Sequence, residues 1–326
     1  MDRRAILKAG LASALAPWPL IRSAQAAVDW PTKSVRVVVP YAPGSATDLV
    51  PRTIFEQVGH QVGQSFVIEN RTGGGTTVGS AQVKSSDPDG YTILVHSNAI
   101  VTVPAIQTNV PYDPVKDFSG LTTLGNVPLV LVVAPSKGIK SVKELVAKAK
   151  AKPGELNYAA AGIGTPPHLA MERFRLAAGF EGQLVPFKGA PEALTEVMTG
   201  RVDIYFAPIT PALPLIRDGK LMALAVSSTK RASALPDVPT TIEAGVPDSD
   251  MDFWVGCFVP KKTPRELVAK MHDEIVKAID ADATKEKLTT LGVERLVMTP
   301  DDFDKRIARE AEIAVKLAKA AKIEPQ

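Results

Sequence analysis

The sequence predicts an α/β fold made of two α/β units, and three features of the chain carry that prediction. Short apolar runs alternate with helical periods from Ser34 onward, the pattern of strands joined by crossover helices in a parallel sheet. A second set of the same kind begins at Val127. From Trp254 one more apolar run is followed only by helical periods, so the last third is expected to cover the first sheet rather than build a third core.

In chain order, residues 35–39 read as a strand and 49–58 as a helix, then 66–68 as a strand and 78–83 as a helix. The Pro88-Asp89-Gly90 turn sets up a strand at 91–95, because proline fixes one dihedral angle and glycine permits a positive one. The second set runs strand 127–133, helix 141–150, strand 157–160, helix 166–178, strand 183–187, helix 191–199 and strand 202–206. After the strand at 254–259 come helices at 264–281, 284–291 and 300–322. Thr263 and Thr299 are their expected N-caps, with Pro264 and Pro300 at the first turn, where a missing N–H does no harm. The lysine-rich end, residues 316–322, reads as the solvated face of an amphipathic helix.

The N-terminus carries a different signal. Arg3, Arg4 and Lys8 precede an apolar stretch at 9–21, and Ala24-Gln25-Ala26 follows as a small-x-small cleavage site, so residues 1–26 read as a secretory signal peptide cut near Ala26. Arg3-Arg4 followed by Ile6, Leu7 and Lys8 also resembles a twin-arginine export signal. The apolar stretch, about 13 residues with Pro17 and Pro19 inside it, is too short and too broken to span a bilayer. This leader holds four of the 38 basic residues and one of the 35 acidic ones, which leaves 34 of each in the remainder. A net-neutral chain gives no electrostatic case for nucleic acid or an anionic membrane. The single cysteine, Cys257, has no partner for an internal disulfide and is expected to pack as a small apolar residue.

Candidate chemistry lies in three loops. PYAPGSATD (residues 40–48) and ENRTGGGTTVGS (residues 69–80) each follow a strand and lead into a helix, which aims backbone N–H groups and the positive end of a helix dipole at one place. In the first, Pro43-Gly44 turns the chain and Ser45 or Thr47 caps the helix; in the second, Thr76 and Thr77 add hydroxyls beside Gly73-Gly74-Gly75. A third, AAAGIGTPPHLA, leads through Gly162 and Gly164 to Thr165 as N-cap and Pro166 at the first turn. Such a cradle takes a carboxylate or phosphate without arginine. Hydrogen bonds to a charged group contribute about 1.5–3 kcal/mol each, so four or five supply the roughly 8 kcal/mol of a micromolar ligand after association costs.

Enzyme signatures fail on spacing. There is no GxSxG elbow and no GxxxxGK[ST] loop, and residues 73–79 do not fit GxGxxG. His60, His96, His168 and His272 lack metal-ligand spacing, so neither a metal nor a cofactor is expected. His96 and His168 sit beside the loops as ligand contacts or as supporting imidazoles, and Asp48 with Asp203 forms either a carboxylate pair or two local hydrogen-bonding groups.

With these segments in view, the chain resembles the periplasmic solute receptors of tripartite tricarboxylate transporters, the Bug family. PYAPGSATD and ENRTGGGTTVGS carry the resemblance, followed in the family's order by DPDGYTIL, YDPVKDFSGLTTL, KPGELNYAAAGIGTPPHLA, VPFKGAPEAL, GRVDIYF, LPDVPTTIEAGVP and FWVGCFVPKKTP. The resemblance covers essentially all of the chain after the leader. It implies a periplasmic-binding-protein type II fold of two α/β lobes joined by two crossover segments. Lobe one would hold 27–127 plus 253–326 and lobe two 128–252, with crossings near 126–128 and 252–255.

By the same resemblance, backbone N–H groups and hydroxyls of the first two loops, helped by ordered water, grip a ligand carboxylate. Position by position this implicates Tyr41, Ala42, Pro43, Gly44, Ser45, Asp48, Gly74, Gly75, Thr76 and Thr77, together with His96, Ser97 and Asn98. Lobe two would add Ala161, Gly162, Thr165, His168, Lys188 and Asp203. The implied activity is capture of a small organic mono- or dicarboxylate, aromatic acids included, and delivery to membrane permease subunits by a monomeric, non-enzymatic receptor without cofactor. Tyr41, Phe187 and Phe206 are the expected apolar walls. Two departures bear on ligand choice: Ser45-Ala46 stands where the family usually continues with glycine, and Gly75-Thr76 where it usually has two glycines. Tyr41 either hydrogen-bonds the ligand or packs with its hydroxyl in solvent. A sensor that reports its ligand to a membrane protein, and an enzyme reusing the fold with Asp48, Asp203 or His168 as acid or base, are the rival readings.

Overall fold

A computed structural model of the chain describes residues 29–320. The predicted leader, and the last two residues of the lysine-rich end, lie outside the described residues. The first half of the chain contributes β1 (Val35–Val39), α1 (Ala46–Val62), β2 (Phe66–Asn70), α2 (Thr77–Lys84), β3 (Thr92–Ser97), α3 (Ala99–Ile106) and β4 (Phe118–Asn126). Next come β5 (Leu129–Val133), α4 (Val142–Ala151), β6 (Asn157–Ala160), α5 (Pro166–Ala178), β7 (Gln183–Pro186), α6 (Ala190–Met198), β8 (Ile204–Pro208), α7 (Ile209–Arg217) and β9 (Met222–Val226). The chain finishes with β10 (Trp254–Pro260), α8 (Arg265–Ile279), α9 (Asp282–Thr290) and α10 (Pro300–Ala320).

The strands form two five-stranded sheets, ordered β2-β1-β3-β10-β4 and β7-β6-β8-β5-β9. Both are mixed rather than purely parallel. β10 runs antiparallel to β3 and β4, and β5 runs antiparallel to β8 and β9. Each reversed strand is the first one laid down after the chain passes from one sheet to the other, so it enters its sheet from the side at which the parallel strands leave. The two passages are tied together: Val127 N–H donates to the Phe253 carbonyl at 2.7 Å, and Asn98 Nδ2 donates to the Asp252 carbonyl at 3.0 Å.

Apolar strands buried on both faces give each sheet its core, as covered sheets require. All five residues of β5 and all seven of β10 are buried. The C-terminal helices do cover the first sheet: α8 and α10 both pack on β4, and Phe303 of α10 meets Trp254 edge-on at 5.2 Å. Cys257 is fully buried in β10, its thiol 3.5 Å from the Thr122 carbonyl and pushed up to about 12 by burial.

Several local expectations are corrected. The strand expected at 127–133 begins only at Leu129, after β4 has ended at Asn126. Residues 99–106, AIVTVPAI, form a helix although their β-branched residues and Pro104 argue against one; their setting at the end of β3 decides the matter. Thr263 is not the N-cap of α8, because Pro264 occupies that position. Thr299 does cap α10: its Oγ1 accepts the Asp302 N–H at 3.2 Å and donates to the Asp302 carboxylate at 2.9 Å.

Candidate functional site

The C-terminal ends of the parallel strands in the two sheets face one another, and the loops that leave them meet there. The loop after β1 is built for rigidity. Gly44 takes the left-handed conformation (φ 77°) that allows the turn, and Ser45 N–H closes it on the Ala42 carbonyl at 3.2 Å. Asp48, buried at the start of α1, accepts Gly44 N–H at 2.8 Å, Asn70 Nδ2 at 2.8 Å and Arg52 Nε at 3.0 Å. Burial alone would raise its pKa, but the Arg52, Asn70 and Gly44 bonds outweigh this and hold the carboxyl below its usual range. Asp48 is therefore a brace for the loop, not a reacting acid.

What the brace presents is a set of unused donors. Ser45 is the N-cap residue of α1, yet its side chain makes no capping bond; it is 5 % exposed and among the described residues its Oγ has no partner. The first-turn N–H groups of Ala46 and Thr47 have no backbone acceptor. Ser45, Ala46 and Thr47 line a small cavity of about 20 Å³, room for roughly one water. Tyr41, Ser97, Ala161, Thr165, Pro166, Pro167, Ala190, Pro208 and Phe253 close it. The Tyr41 hydroxyl is not in solvent: it lies 2.6 Å from Ser97 Oγ, which also accepts Ala99 N–H at 3.1 Å. Next to it the fully buried His96 has Nδ1 3.0 Å from the Ser97 carbonyl. Burial pushes its pKa down to about 3, so the ring is neutral and its Nδ1–H is the donor to that carbonyl.

The opposite wall belongs to the second sheet. Thr165 is the N-cap residue of α5, but its hydroxyl donates to the Gly162 carbonyl at 2.7 Å instead of capping. Pro166 and Pro167 then occupy the first two helical positions and have no N–H to offer. The helix start predicted as a third donor site is instead an apolar surface. Behind it, His168 Nδ1 accepts Gly164 N–H at 3.1 Å, and burial lowers its pKa.

Contacts across the gap flank the cavity on two sides. On one, Thr102 Oγ1 of α3 donates to the Gly164 carbonyl at 2.7 Å, and a Cβ at Gly164 would fall 2.5 Å from Ile106 Cδ1. On the other, a Cβ at Gly189 would fall 2.7 Å from Ala42 Cβ, and one at Gly44 would lie 3.6 Å from Pro191 Cγ. The arrangement is closed.

Of the implicated residues, Tyr41, Ser45, Ser97, Ala161 and Thr165 line the cavity, while Ala42 and Gly44 stand against Gly189 and Pro191 at the start of α6. Asp48, His96, Asn98, Gly162 and His168 stand behind these as supports. Pro43 is exposed. The second loop does not reach the cavity: Thr77 Oγ1 bonds the Gly74 carbonyl at 2.9 Å, Gly75 abuts Gln107, and Thr76 (φ 88°) lies beside Tyr112. Lys188 is exposed, with its backbone N–H held by Glu192 at 3.1 Å. Asp203 is remote, because it precedes β8 while the other end of that strand, Pro208, lines the cavity; it pairs with Lys137 at 2.6 Å and Asn157 N–H at 2.8 Å. Phe206 is a core residue packed edge-on against Phe174 at 5.5 Å, so the apolar walls are Pro166, Pro167, Ala190, Pro208 and Phe253. The Pro-Pro pair was visible in the sequence as a helix start; that it faces a cavity was not.

Comparisons with known proteins agree with the two-sheet α/β fold. The profile of the tripartite tricarboxylate transporter family receptor matches residues 50–322. BugT of Bordetella pertussis is 31% identical over 283 residues, covering 86% of this chain and 87% of BugT. Among solved structures, R. palustris Rpa4515 with adipate is 32% identical with a TM-score of 0.88, covering 91% of this chain and 100% of the other. MatC from Rhodopseudomonas palustris with bound malate is 30% identical with a TM-score of 0.82, covering 88% of this chain and 99% of MatC.

Proposed function

Because the chain belongs to the tripartite tricarboxylate transporter receptor family, we propose that it is a periplasmic receptor that closes two lobes on a small organic carboxylate. It delivers that ligand to the membrane subunits of a tripartite transporter and performs no chemistry on it. Lobe one comprises 27–127 plus 253–326 and lobe two 128–252, the leader is removed near Ala26, and the receptor acts as a monomer.

One observation carries the reading. Among the described residues Ser45 Oγ has no partner and the Ala46 and Thr47 N–H groups have no backbone acceptor, and these three residues, at the start of a 17-residue helix, are among those that line the cavity. The helix dipole and charge-assisted hydrogen bonds favour an anion there, and Arg52 keeps the Asp48 charge nearby compensated. The ligands named for the solved relatives, adipate and malate, are carboxylates. Closure follows if the ligand contacts both lobes, since it then binds the closed state more tightly than the open one. Native mass spectrometry of the exported protein is expected to reveal a carried organic acid of unchanged mass. A thermal-shift screen in which no mono- or dicarboxylate raises the melting temperature would sink the proposal.

A further inference from the structure

The three helix starts that surround the cavity are not equivalent, and the difference narrows the ligand. At α1 the sequence Ser45-Ala46-Thr47-Asp48 offers a buried free hydroxyl, two free N–H groups and an acid neutralised by Arg52 at 2.8 Å. At α5 the sequence Thr165-Pro166-Pro167-His168 has its hydroxyl turned to Gly162, no N–H at the first two positions, and a histidine that burial keeps towards its neutral form.

At α6 the sequence Gly189-Ala190-Pro191-Glu192 has no hydroxyl at the cap and loses the second N–H to Pro191. Glu192 repeats the reach-back of Asp48, taking Lys188 N–H, but among the described residues it has no ion-pair partner. The remaining lobe-two lining, Ala161, Ala190 and Pro208, is apolar, and Lys188 does not line the cavity. Free loop amides on that side suit a carbonyl or hydroxyl. A buried carboxylate needs several donors or a counter-charge, and of the three helix starts only α1 combines a free hydroxyl with consecutive free N–H groups.

We infer that this receptor takes monocarboxylates, with the carboxylate on Ser45 and α1 and an uncharged, mainly apolar body against the Pro166-Pro167-Ala190-Pro208 wall. The inference rests on the carboxylate-receptor reading and narrows it to a class that excludes dicarboxylates such as adipate.

Calorimetry and thermal shift on the intact protein with matched pairs, hexanoate against adipate and 4-methylbenzoate against terephthalate, test it. The monoacid of at least one pair is expected to bind, and to do so at least tenfold more tightly than its diacid. Equal or tighter diacid binding overturns the inference while leaving the carboxylate receptor standing. Binding of neither class brings down both. Ala161→Arg, which adds a cation to the far wall at a half-buried position, is expected to move the ratio at least tenfold towards the diacid; an unchanged ratio would remove the wall from the ligand's path.

Discussion

Replacing Ser45 separates two effects that usually travel together. An N-cap serine ordinarily stabilises its helix, and Ser→Ala at such a position costs about 0.5–2 kcal/mol. Here the hydroxyl makes no capping bond and is buried without a partner, so that loss does not apply. Leaving a polar group buried and unsatisfied costs about 1–3 kcal/mol, and its removal is neutral or stabilising. The ligand-free Ser45→Ala protein is therefore expected to melt no lower than wild type.

Ligand binding should move the other way. The variant loses one hydrogen bond to a charged group, worth about 1.5–3 kcal/mol, which is about a tenfold to 150-fold rise in Kd. Ser45→Asp should be worse, since two like charges about 4 Å apart repel by about 4 kcal/mol at an effective dielectric constant of 20, close to a thousandfold. Differential scanning fluorimetry of the free protein and calorimetry with the best acid from the screen measure the two quantities. A Kd within twofold of wild type in Ser45→Ala would remove the hydroxyl from the site. A fall in ligand-free stability of about 1 kcal/mol or more would show that it caps α1 after all.

Gly189 sits at φ −174°, an extended conformation open to any residue, so Gly189→Val adds no backbone strain and clashes only with Ala42 across the lobes. Its melting temperature without ligand should stay within a few degrees of wild type, Kd should rise at least tenfold, and small-angle scattering with ligand should stay at the open dimension; ligand-induced compaction would refute this. His96 is neutral in the fold, with its pKa at about 3 against an ordinary 6.5, so the stability it secures is complete above 6.5. Between these limits the unfolded chain binds a proton that the native ring refuses, and stability falls by about 1.4 kcal/mol for each unit the pH drops. Urea titrations at pH 7, 6 and 5 should show that slope in wild type minus His96→Gln, and a flat difference would contradict it. Asp203→Asn should lower stability by about 1 kcal/mol through the Lys137 and Asn157 contacts and leave Kd within twofold.

The parts of the fold legible in the sequence were those fixed by local chemistry. Pro43-Gly44 before an apolar helical period, or Thr299 three residues ahead of Asp302, states its own structure. Direction within a sheet is not local: the runs at β5 and β10 are as apolar as their neighbours, and only the passage between lobes reverses them. The helix at 99–106 was hidden for a related reason, because its composition suits a strand and its position after β3 overrides that. The helix and the residue that ends it bring Thr102 and Gln107 against the Gly164 and Gly75 loops. Asp203 shows the converse error. A carboxylate near a strand was credited to the site, but it stands at the end of β8 that points away from it.

Closure itself then helps to set what the site accepts. A cavity of about 20 Å³ admits roughly one water, and any carboxylate group is larger than that. A seated ligand must therefore hold the walls further apart than they stand here, at the expense of contacts such as Thr102 to Gly164 and Ala42 against Gly189. The hydrogen bond among these is worth about 0.5–1.5 kcal/mol, less than a single charge-assisted bond at Ser45 or α1. The carboxylate end can thus outweigh the loss for any acid, which makes that pole a source of affinity and not of choice. Selection falls to the body of the ligand, since each increment of its thickness opens the proline wall further and removes contact area that a slender chain would keep.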